Sequence, residues 1–521
     1  MWTYVRLGLL WTVVVLALGS SAETGATPGA TELVSVNSAG QQGTGDSGAW
    51  GRPAISANGR YVAFESFAAN LVADDTNNRA DIFFRDRQAS TTTRVSLGNT
   101  GNQANGSSFQ PAISGDGRYV AFESDATNLV SGDTNAANDV FVRDRQAAGS
   151  TTRVSVATGG AEANGASYQP AMSSDGRYVA FHSEATNLVS GDTNGATDVF
   201  VRDRDTDVDG IFDESGAVST TRVSVDSAGA EANGASSQAS VSSDGRYVAF
   251  ESEATNLVSG DTNNAVDVFV RDRDTDGNGI FDEAGAVSTT RMSVSSGGAQ
   301  GDGGSGGPAI DWNGRYVAFS STAANLVAGD SNGAADVFVR DRQAGSTTRV
   351  SVSSGGAEAN GASYDPAVSW DGRYIAFSST STNLVSGDTN GADDVFVRDR
   401  DTDADGIFDE LGAVSTTRVS VDGAGVQGDA ESSSPAISAD GRYAAFYSYA
   451  GNLVSGDANG RRDVFVHDRS APVGGIAELP DISGRPAPDY TALAGLAAAA
   501  LAALTAGAWY ARRRFGWRRL R

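Results

Sequence analysis

The sequence predicts an all-β protein folded as a seven-bladed β-propeller with four-stranded blades. The phrase Gly-Arg-Tyr-(Val/Ile/Ala)-Ala-Phe occurs seven times, with intervals of 58, 59 or 69 residues between its copies. Each copy lies in a repeat of four short strand-like segments that are separated by turn residues. The last repeat lacks its fourth segment, and a matching segment precedes the first repeat.

The second repeat illustrates the strands of one blade. Strands are predicted at 111–114, 118–124, 139–145 and 151–156. Gly115-Asp116-Gly117 separates the first two as a tight turn, because Asp-Gly favours hairpins. The segment Tyr119-Val120-Ala121-Phe122 is apolar at consecutive positions. A blade that is covered by a neighbour on each side requires such a strand.

The fourth strands predict how the ring closes. Thr-Thr-Arg-Val-Ser-Val or a close variant ends six of the seven repeats, but after the seventh repeat Arg469 is followed directly by Ser-Ala-Pro. The matching segment at the other end of the chain is Thr31-Glu32-Leu33-Val34-Ser35-Val36. We expect this segment to form the outer strand of the seventh blade, which leaves no open sheet edge.

The repeats resemble those of a known family. Pro-Ala-Ile-Ser-x-Asp-Gly-Arg-Tyr-Val-Ala-Phe followed by Asp-Val-Phe-Val-Arg-Asp-Arg is similar to the repeat of TolB-type β-propellers, and the resemblance covers residues 31–469. It implies a propeller that is closed through an outer strand. It implies no single activity, because propellers serve in binding, scaffolding and catalysis.

Composition excludes several classes of function. The chain has no Cys, which excludes disulfides, thiolate catalysis and Cys-ligated zinc. The formal net charge is −26, and all basic residues are Arg. Such a surface repels nucleic acid and anionic lipid and attracts cations.

The N-terminus has the features of a secretory signal peptide at 1–22. Arg6 supplies a positive charge, residues 7–18 are an apolar run, and Ser20-Ser21-Ala22 offers small residues for cleavage. An uncleaved N-terminal anchor is the alternative. In either case the sequence predicts an exported protein.

The C-terminus predicts a membrane anchor. Residues 491–510 carry no charge and are rich in Ala and Leu, and residues 511–521 contain six Arg. This pattern is typical of a transmembrane helix with its basic tail in the cytoplasm, and the alternative is a helix docked on another protein. Residues 470–490 form a Pro-containing linker, in which Leu479-Pro480-Asp481-Ile482-Ser483-Gly484 resembles a cell-wall sorting signal with Ile and Ser in place of its Thr and Gly. Whether the anchor is processed there stays open.

Blades three, four and six contain acidic inserts after their third strands. The pattern Asp-x-(Asp)-x-(Asp/Asn)-Gly-x-x-Asp resembles the start of an EF-hand loop, whose oxygens at positions 1, 3, 5 and 9 wrap one Ca²⁺. Gly stands at position 12, where an EF-hand has its bidentate Glu, and a Glu stands two positions earlier. The inserts therefore predict weak structural calcium sites, with a solvated acidic loop as the alternative. The candidate ligands are Asp205, Asp207, Asp209, Asp213, Glu214, Asp274, Asp276, Asn278, Asp282, Glu283, Asp401, Asp403, Asp405, Asp409 and Glu410.

Two further features fall on the opposite face. Every blade carries Asp-x-Asn-x-x-x-Asp after its second strand, as in Asp133, Asn135 and Asp139. These oxygens either bind Ca²⁺ or hold their own turns through Asx hydrogen bonds. Phe109, Tyr168 and Tyr364 precede the first strands and form either a ligand platform at the channel mouth or packing between blades.

Two functions remain open from the sequence. The first is a monomeric, cell-surface binding or scaffold module without catalysis, which takes a protein or glycan ligand at a propeller face and is stabilised by calcium. The near-identity of the blades favours it, because an active site usually requires one blade to depart from the others. The alternative is an extracellular lyase or glycosidase that acts on a polysaccharide or glycan.

Overall fold

The computed structural model describes residues 29–48, 51–146 and 149–470, and these form twenty-eight β-strands. In chain order the strands are β1 (Thr31–Leu33), β2 (Ala54–Ile55), β3 (Tyr61–Ser66), β4 (Asp81–Asp86), β5 (Thr91–Arg94), β6 (Ser108–Ile113), β7 (Tyr119–Ser124), β8 (Asp139–Asp144), β9 (Ser150–Arg153), β10 (Ser167–Met172), β11 (Tyr178–Ser183), β12 (Asp198–Asp203), β13 (Ser219–Arg222), β14 (Ser236–Val241), β15 (Tyr247–Ser252), β16 (Asp267–Asp272), β17 (Ser288–Arg291), β18 (Ser305–Ile310), β19 (Tyr316–Ser321), β20 (Asp336–Asp341), β21 (Ser346–Arg349), β22 (Ser363–Val368), β23 (Tyr374–Ser379), β24 (Asp394–Asp399), β25 (Ser415–Arg418), β26 (Ser432–Ile437), β27 (Tyr443–Ser448) and β28 (Asp463–Asp468).

The strands form seven antiparallel sheets of four, which confirms the predicted propeller. Six sheets are consecutive in the chain: β2–β5, β6–β9, β10–β13, β14–β17, β18–β21 and β22–β25. The seventh has the order β1-β28-β27-β26. Thr31 and Leu33 pair with His467 and Phe465. The N-terminal strand therefore closes the ring, as the count of fourth strands predicts.

Seven apolar layers between neighbouring blades form the core. In one layer Phe84 of blade 1 packs with Val120 and Phe122 of blade 2. Tyr119 and Ala121 of the same strand pack on the other side, against blade 3. Both faces of a blade are thus buried, which explains why its central strands are apolar at consecutive positions.

The first strand of a blade lies next to the channel and is longer than predicted. Strand β6 begins at Ser108 rather than at residue 111, and its register shifts between Phe109 and Ala112. This shift is a β-bulge, which bends the strand and re-aims the side chain at the bulge. Sequence patterning misses the bulge because two successive residues oppose one partner position there.

A closed ring of backbone hydrogen bonds surrounds one end of the channel. It is formed by the turns between first and second strands, and each turn donates one N–H to a carbonyl of the next blade over distances of 2.8 to 3.4 Å. The donors in order are Ala57, Gly115, Ser174, Ser243, Trp312, Trp370 and Ala439, whose bond returns to Ala57. The ring ties all seven blades together at the face that also carries the inserts, which we call the insert face. The opposite face carries the blade-joining loops, and we call it the connection face.

The described residues contain no helix long and apolar enough to cross a membrane. The predicted signal peptide at 1–22, the transmembrane helix at 491–510, the tail at 511–521 and all of the linker except Ser470 lie outside the described residues.

Candidate ligand and cation sites

The acidic inserts bring three of their predicted ligands together. Carboxylate oxygens of Asp205, Asp207 and Asp209 lie within 4.8 Å of one another, and the same holds for Asp401, Asp403 and Asp405. The backbone N–H groups of Asp209 and Gly210 donate to the Asp205 carboxylate at 3.2 and 3.0 Å. These bonds wrap the loop around Asp205, so that three carboxylates face a common point.

The first two carboxylates of the insert titrate together. Desolvation opposes ionisation of Asp205, but hydrogen bonds from Gly210, Asp207 and Asp209 outweigh it and lower its pKa. Desolvation and the bond to Asp205 raise the pKa of Asp207. Asp403 shows the same raised pKa beside Asp401. A divalent cation would relieve this repulsion between neighbouring carboxylates.

The carboxylate at position 9 faces away from this cluster. Asp213 pairs with Arg204, and the equivalent Asp282 and Asp409 pair with Arg273 and Arg400 at 2.6 Å. Arg204 is buried and also donates to the carbonyl of Gly176 at 2.7 Å. In the structure, the aspartate at position 9 of each insert therefore neutralises a buried guanidinium.

The glutamates at position 10 are spread over different environments. Glu214 and Glu410 are exposed. Glu283 accepts a hydrogen bond of 2.6 Å from the Asn278 side chain, whose second bond goes to Asp276 at 3.1 Å. Asp274 holds its loop as Asp205 does, through Asn278 and Gly279. Asn278 thus replaces one carboxylate of the cluster by an amide.

Each insert also packs against the preceding blade. Phe212 stacks on Tyr119 with ring centroids 5.2 Å apart, and Phe281 and Phe408 contact Tyr178 and Tyr316 in the same way. Cation binding at an insert would therefore stiffen a contact between two blades.

On the connection face, the repeated acidic loops already contain a cation. The Arg153 guanidinium lies 3.1 Å from Asp139, 3.4 Å from Asp133 and 2.6 Å from Glu162. Asn135 accepts a bond from the N–H of Ala137, which is the Asx turn that one interpretation predicts. These loops have the geometry of guanidinium-filled turns. The signal that sequence reasoning missed is the Arg of every Thr-Thr-Arg segment.

Burial and the Arg153 guanidinium shift the pKa values of these acids in opposite directions. Desolvation, followed by the charge of Asp139, raises the pKa of Asp133 to about 6. Desolvation also opposes ionisation of Glu162, but hydrogen bonds from Thr134 and Arg153 lower its pKa to about 2. The seventh blade has Leu33 in place of the Arg, and its Asp463, held by Ser35, Asn459 and Gln42, has a pKa raised by burial to about 6.

A polar ring lies at the channel wall near the connection face. Bulges on the first strands give positive φ angles of 47° to 60° at six of its seven positions, five of which are not glycine. The bulges aim these side chains toward a channel cavity of about 340 Å³, which Gln110, Gln169 and Gln238 line. The equivalent positions of the seven blades are Arg52, Gln110, Gln169, Gln238, Gly307, Asp365 and Ser434.

One pair breaks the near-sevenfold pattern of this ring. Arg52 lies 4.0 Å from Asp365 and donates to the carbonyl of Pro366 at 3.1 Å. Blade 1 thereby contacts blade 6 past blade 7. Sequence reasoning missed the ring, although aligning the seven repeats column by column marks Arg52 and Asp365 as departures.

Carboxylates behind the ring support its bulges. Glu123 accepts a bond of 2.7 Å from the backbone N–H of Gln169, and Glu251 accepts one of 3.0 Å from Gly307. Desolvation raises the pKa of Glu123 to about 7. Each of these glutamates thus links one blade to the first strand of the next.

The three predicted platform aromatics lie just ahead of the ring and have separate partners. Phe109 contacts Phe67 with centroids 6.5 Å apart, and Tyr168 contacts His182 at 5.6 Å. The Tyr364 hydroxyl donates to Asp393. These contacts favour the packing interpretation over a shared platform.

Comparison with known proteins extends only to the fold. No family model and no curated protein matches the chain. Among solved structures, TolB from Acinetobacter baumannii matches at 14% identity and a TM-score of 0.31 over 57% of this chain and 53% of that one. TolB from Agrobacterium tumefaciens, described as putative, matches at 14% identity and a TM-score of 0.33, over 62% and 89%. An oligogalacturonate lyase in complex with manganese matches at 10% identity and a TM-score of 0.48, over 85% of this chain and 94% of that one.

TolB proteins are thus among the structures that match. The chain spans about half of the length of the Acinetobacter TolB. At these identities the similarity concerns the propeller fold alone, and the assignment of that fold rests on the strand order itself.

Proposed function

We propose that the protein is an exported, membrane-anchored binding module without catalysis, which takes a small polar ligand or the end of a polymer at the polar ring. The observation that carries this proposal is the set of strained bulges around the channel. Non-glycine residues at positive φ cost free energy, and such residues cluster at binding sites. Here they occur at equivalent positions of five blades, and three of them, Gln110, Gln169 and Gln238, line one cavity.

The chemistry of the ring indicates the kind of ligand. Gln110, Gln169 and Gln238 offer carboxamides, which both donate and accept hydrogen bonds. Arg52 and Asp365 add one charge of each sign on one side. With a net charge of −26, the protein disfavours anionic ligands. A neutral or zwitterionic ligand fits this ring best.

Calcium forms the second part of the proposal. Clustered carboxylates of the inserts, Asp205, Asp207 and Asp209, offer the oxygen ligands that Ca²⁺ prefers. They lie in loops that pack on the preceding blade, so that bound calcium would stabilise the ring. Export and anchoring rest on the sequence of the two termini.

The test uses the full chain purified in detergent on arrays of neutral oligosaccharides and of peptides. We expect saturable binding that Arg52→Ala weakens at least tenfold, while Arg79→Ala, which removes an exposed guanidinium of the connection face, leaves it unchanged. Equal binding by both variants, or no binding on either array, overturns the proposed site. Recovery of the full chain in the soluble fraction of cells overturns the anchor.

One observation favours the enzymatic alternative. Burial raises the pKa of Glu123 to about 7, which suits a general acid or base. Its carboxylate bonds to the backbone of Gln169, which lines the channel. That hydrogen bond already engages the Glu123 carboxylate. The two His residues, His182 and His467, lie in blades 3 and 7, whereas Glu123 lies in blade 2. Turnover of a neutral polysaccharide that Glu123→Gln abolishes would establish the alternative in place of the binding module.

A further inference from the structure

The turn after the first strand breaks the sevenfold pattern at two adjacent blades. In five blades a small residue stands at the position whose backbone joins the hydrogen-bonded ring: Ala57, Gly115, Ser174, Ser243 and Ala439. Blades 5 and 6 have Trp312 and Trp370 there. Both indoles lie on the insert face, at the opposite end of the channel from the polar ring.

The two indoles are neighbours and remain accessible. Their ring centroids lie 6.3 Å apart with an interplanar angle of 21°. Trp312 is 48% exposed and Trp370 is 40% exposed. Large aromatic side chains held at the surface in this way mark contact sites, because they keep apolar area in water.

Trp370 extends across the end of the channel. A Cβ atom added at Gly115 would lie 3.3 Å from Cζ2 of Trp370, although Gly115 belongs to blade 2 and Trp370 to blade 6. The indole therefore reaches from its own blade toward the far side of the hydrogen-bonded ring. Ile55, Ile113 and Ile437 line the channel wall beneath it.

Rigid backbone holds both side chains in place. The backbone N–H of Trp312 donates to the Trp370 carbonyl, and the backbone N–H of Trp370 donates to the Ala439 carbonyl at 3.1 Å. The turn of Trp370 is also fixed by Asp371, which accepts from Ser369 and from the N–H of Arg373. Aromatic groups on a fixed frame lose little entropy when they bind a ligand.

A depression of mixed polarity adjoins Trp370. It has a volume of about 580 Å³, and its polar lining includes Ser174, Ser243, Asp116 and Asp175. Arg118 also lines it, but its charge is balanced by Asp144 at 2.8 Å. Asp116 and Asp175 are exposed, and each holds its own turn through Oδ1. Hydroxyl and carboxylate oxygens therefore surround the aromatic surface and can accept hydrogen bonds.

We propose that the Trp312–Trp370 pair and this depression form a binding site for an uncharged glycan, separate from the polar ring. The C–H face of a pyranose ring packs on an indole, and its hydroxyl groups donate to the oxygens around it. Carboxylates on this face disfavour an anionic sugar. A protein partner would need a wider apolar centre, whereas here acidic turns and inserts surround two aromatic residues.

The test measures binding of uncharged hexose and N-acetylhexosamine oligosaccharides to the full chain by calorimetry. The variants are Trp312→Ser and Trp370→Ser, which restore the residue found in the turns of blades 3 and 4. We expect each to lower the affinity at least tenfold without changing the melting temperature by more than a few degrees. Leu411→Ala, which removes a 96% exposed side chain from the same face, is the matched control and leaves the affinity unchanged.

Several outcomes would overturn the proposal. They are binding that neither Trp substitution weakens, tighter binding of a uronate oligosaccharide than of the uncharged ones, and no binding up to millimolar concentration. Arg52→Ala should leave this site unaffected, since it lies at the other end of the channel. A ligand whose binding only Arg52→Ala weakens belongs to the polar ring, and one whose binding only the Trp substitutions weaken belongs to this site, so a failure here is distinguishable from a failure at the polar ring.

Discussion

The Asp213 carboxylate forms a two-point pair with the Arg204 guanidinium, with Oδ2 at 2.5 Å from one terminal nitrogen and Oδ1 at 3.0 Å from Nε. Arg204 is 2% exposed. The residue at loop position 9, which an EF-hand would use toward its calcium ion, thus balances a buried charge at the edge of the blade. The same arrangement recurs in all three inserts.

Asp213→Asn is expected to destabilise the propeller even without calcium. It leaves a buried guanidinium without its counter-charge, which typically costs about 3–5 kcal/mol. Urea denaturation in the presence of chelator measures the effect. Asp207→Asn, in the same loop but exposed, is the control and should change stability by less than about 1 kcal/mol. Similar losses for both variants would contradict the structural role of Asp213.

Calcium is expected to bind with a stoichiometry of about three, one ion for each insert. Titration of chelator-stripped full chain by calorimetry measures it, and saturation should raise the melting temperature. Alanine at Asp207, Asp276 and Asp403 together should abolish binding, whereas Glu184→Ala with Glu253→Ala on the connection face should not. An unchanged stoichiometry in the triple variant, or a value near ten, would count against the inserts as the sites.

Arg153→Met is expected to destabilise blade 2 in a way that depends on pH. The substitution leaves Asp133, Asp139 and Glu162 within 4.8 Å of one another without a cation. The loss should be about 3–5 kcal/mol at pH 7. It should shrink as the pH falls, because the pKa of Asp133, about 6 beside Arg153, rises further without that guanidinium, and protonation removes the repulsion.

Thermal melts at pH 5 and pH 7 test this expectation for Arg153. Arg461→Met provides the matched control, since Arg461 is an exposed residue that pairs with Asp46 at 3.4 Å. The interpretation fails if Arg153→Met loses equal stability at both pH values.

Ser35→Ala tests the closure of the ring. Ser35 donates to Asp463 at 2.5 Å and accepts the N–H of Val464 at 3.1 Å. Ser155 makes the same two bonds to Asp139 and Val140 within blade 2. Loss of such buried bonds costs about 1–3 kcal/mol, and we expect Ser35→Ala and Ser155→Ala to cost the same. A much smaller cost at Ser35 in chemical denaturation would mean that the N-terminal strand does not hold the seventh blade.

Asp311 is expected to make stability fall as the pH rises from about 4 to about 7. It replaces the Ser found at this turn position in the other six blades, and desolvation raises its pKa to about 7. An acid whose pKa is higher in the folded than in the unfolded state stabilises the fold when protonated. That contribution is present in full below the ordinary pKa of about 4, is lost by up to about 1.4 kcal/mol per pH unit as the pH rises to about 7, and changes little at higher pH.

The double change Asp311→Ser with Asn313→Asp restores the Ser–Asp pair found in five of the other turns and removes this titration. The stability difference between variant and wild type should therefore grow from pH 5 to pH 7 in urea denaturation and stay level from pH 7 to pH 8. Glu123 and the other acids titrate in both proteins and cancel in this difference. A constant difference would show that Asp311 is not the group responsible.

Much of the fold follows from residues that are close in the chain. Strand, turn and strand are determined locally in each repeat, through consecutive apolar residues such as Val120 and Phe122 and the Asp-Gly turn before them. The seven copies determine the number of blades, and the outer strand at the N-terminal end of the repeats determines how the ring closes. The acidic clusters of the inserts are likewise local, because Asp205, Asp207 and Asp209 lie within five residues.

The sites depend on partners that only the closed ring brings together. Arg52 reaches Asp365 past an entire blade, and Trp370 approaches Gly115 from nearly the opposite side of the channel. Strand and turn formation depends on residues that are close in the chain, so the sequence by itself determined the blades, their number and their closure. Packing across the ring depends on the radius and rotation that seven closed blades adopt together, so the tertiary structure decided which charges are paired and which aromatic residues face the channel.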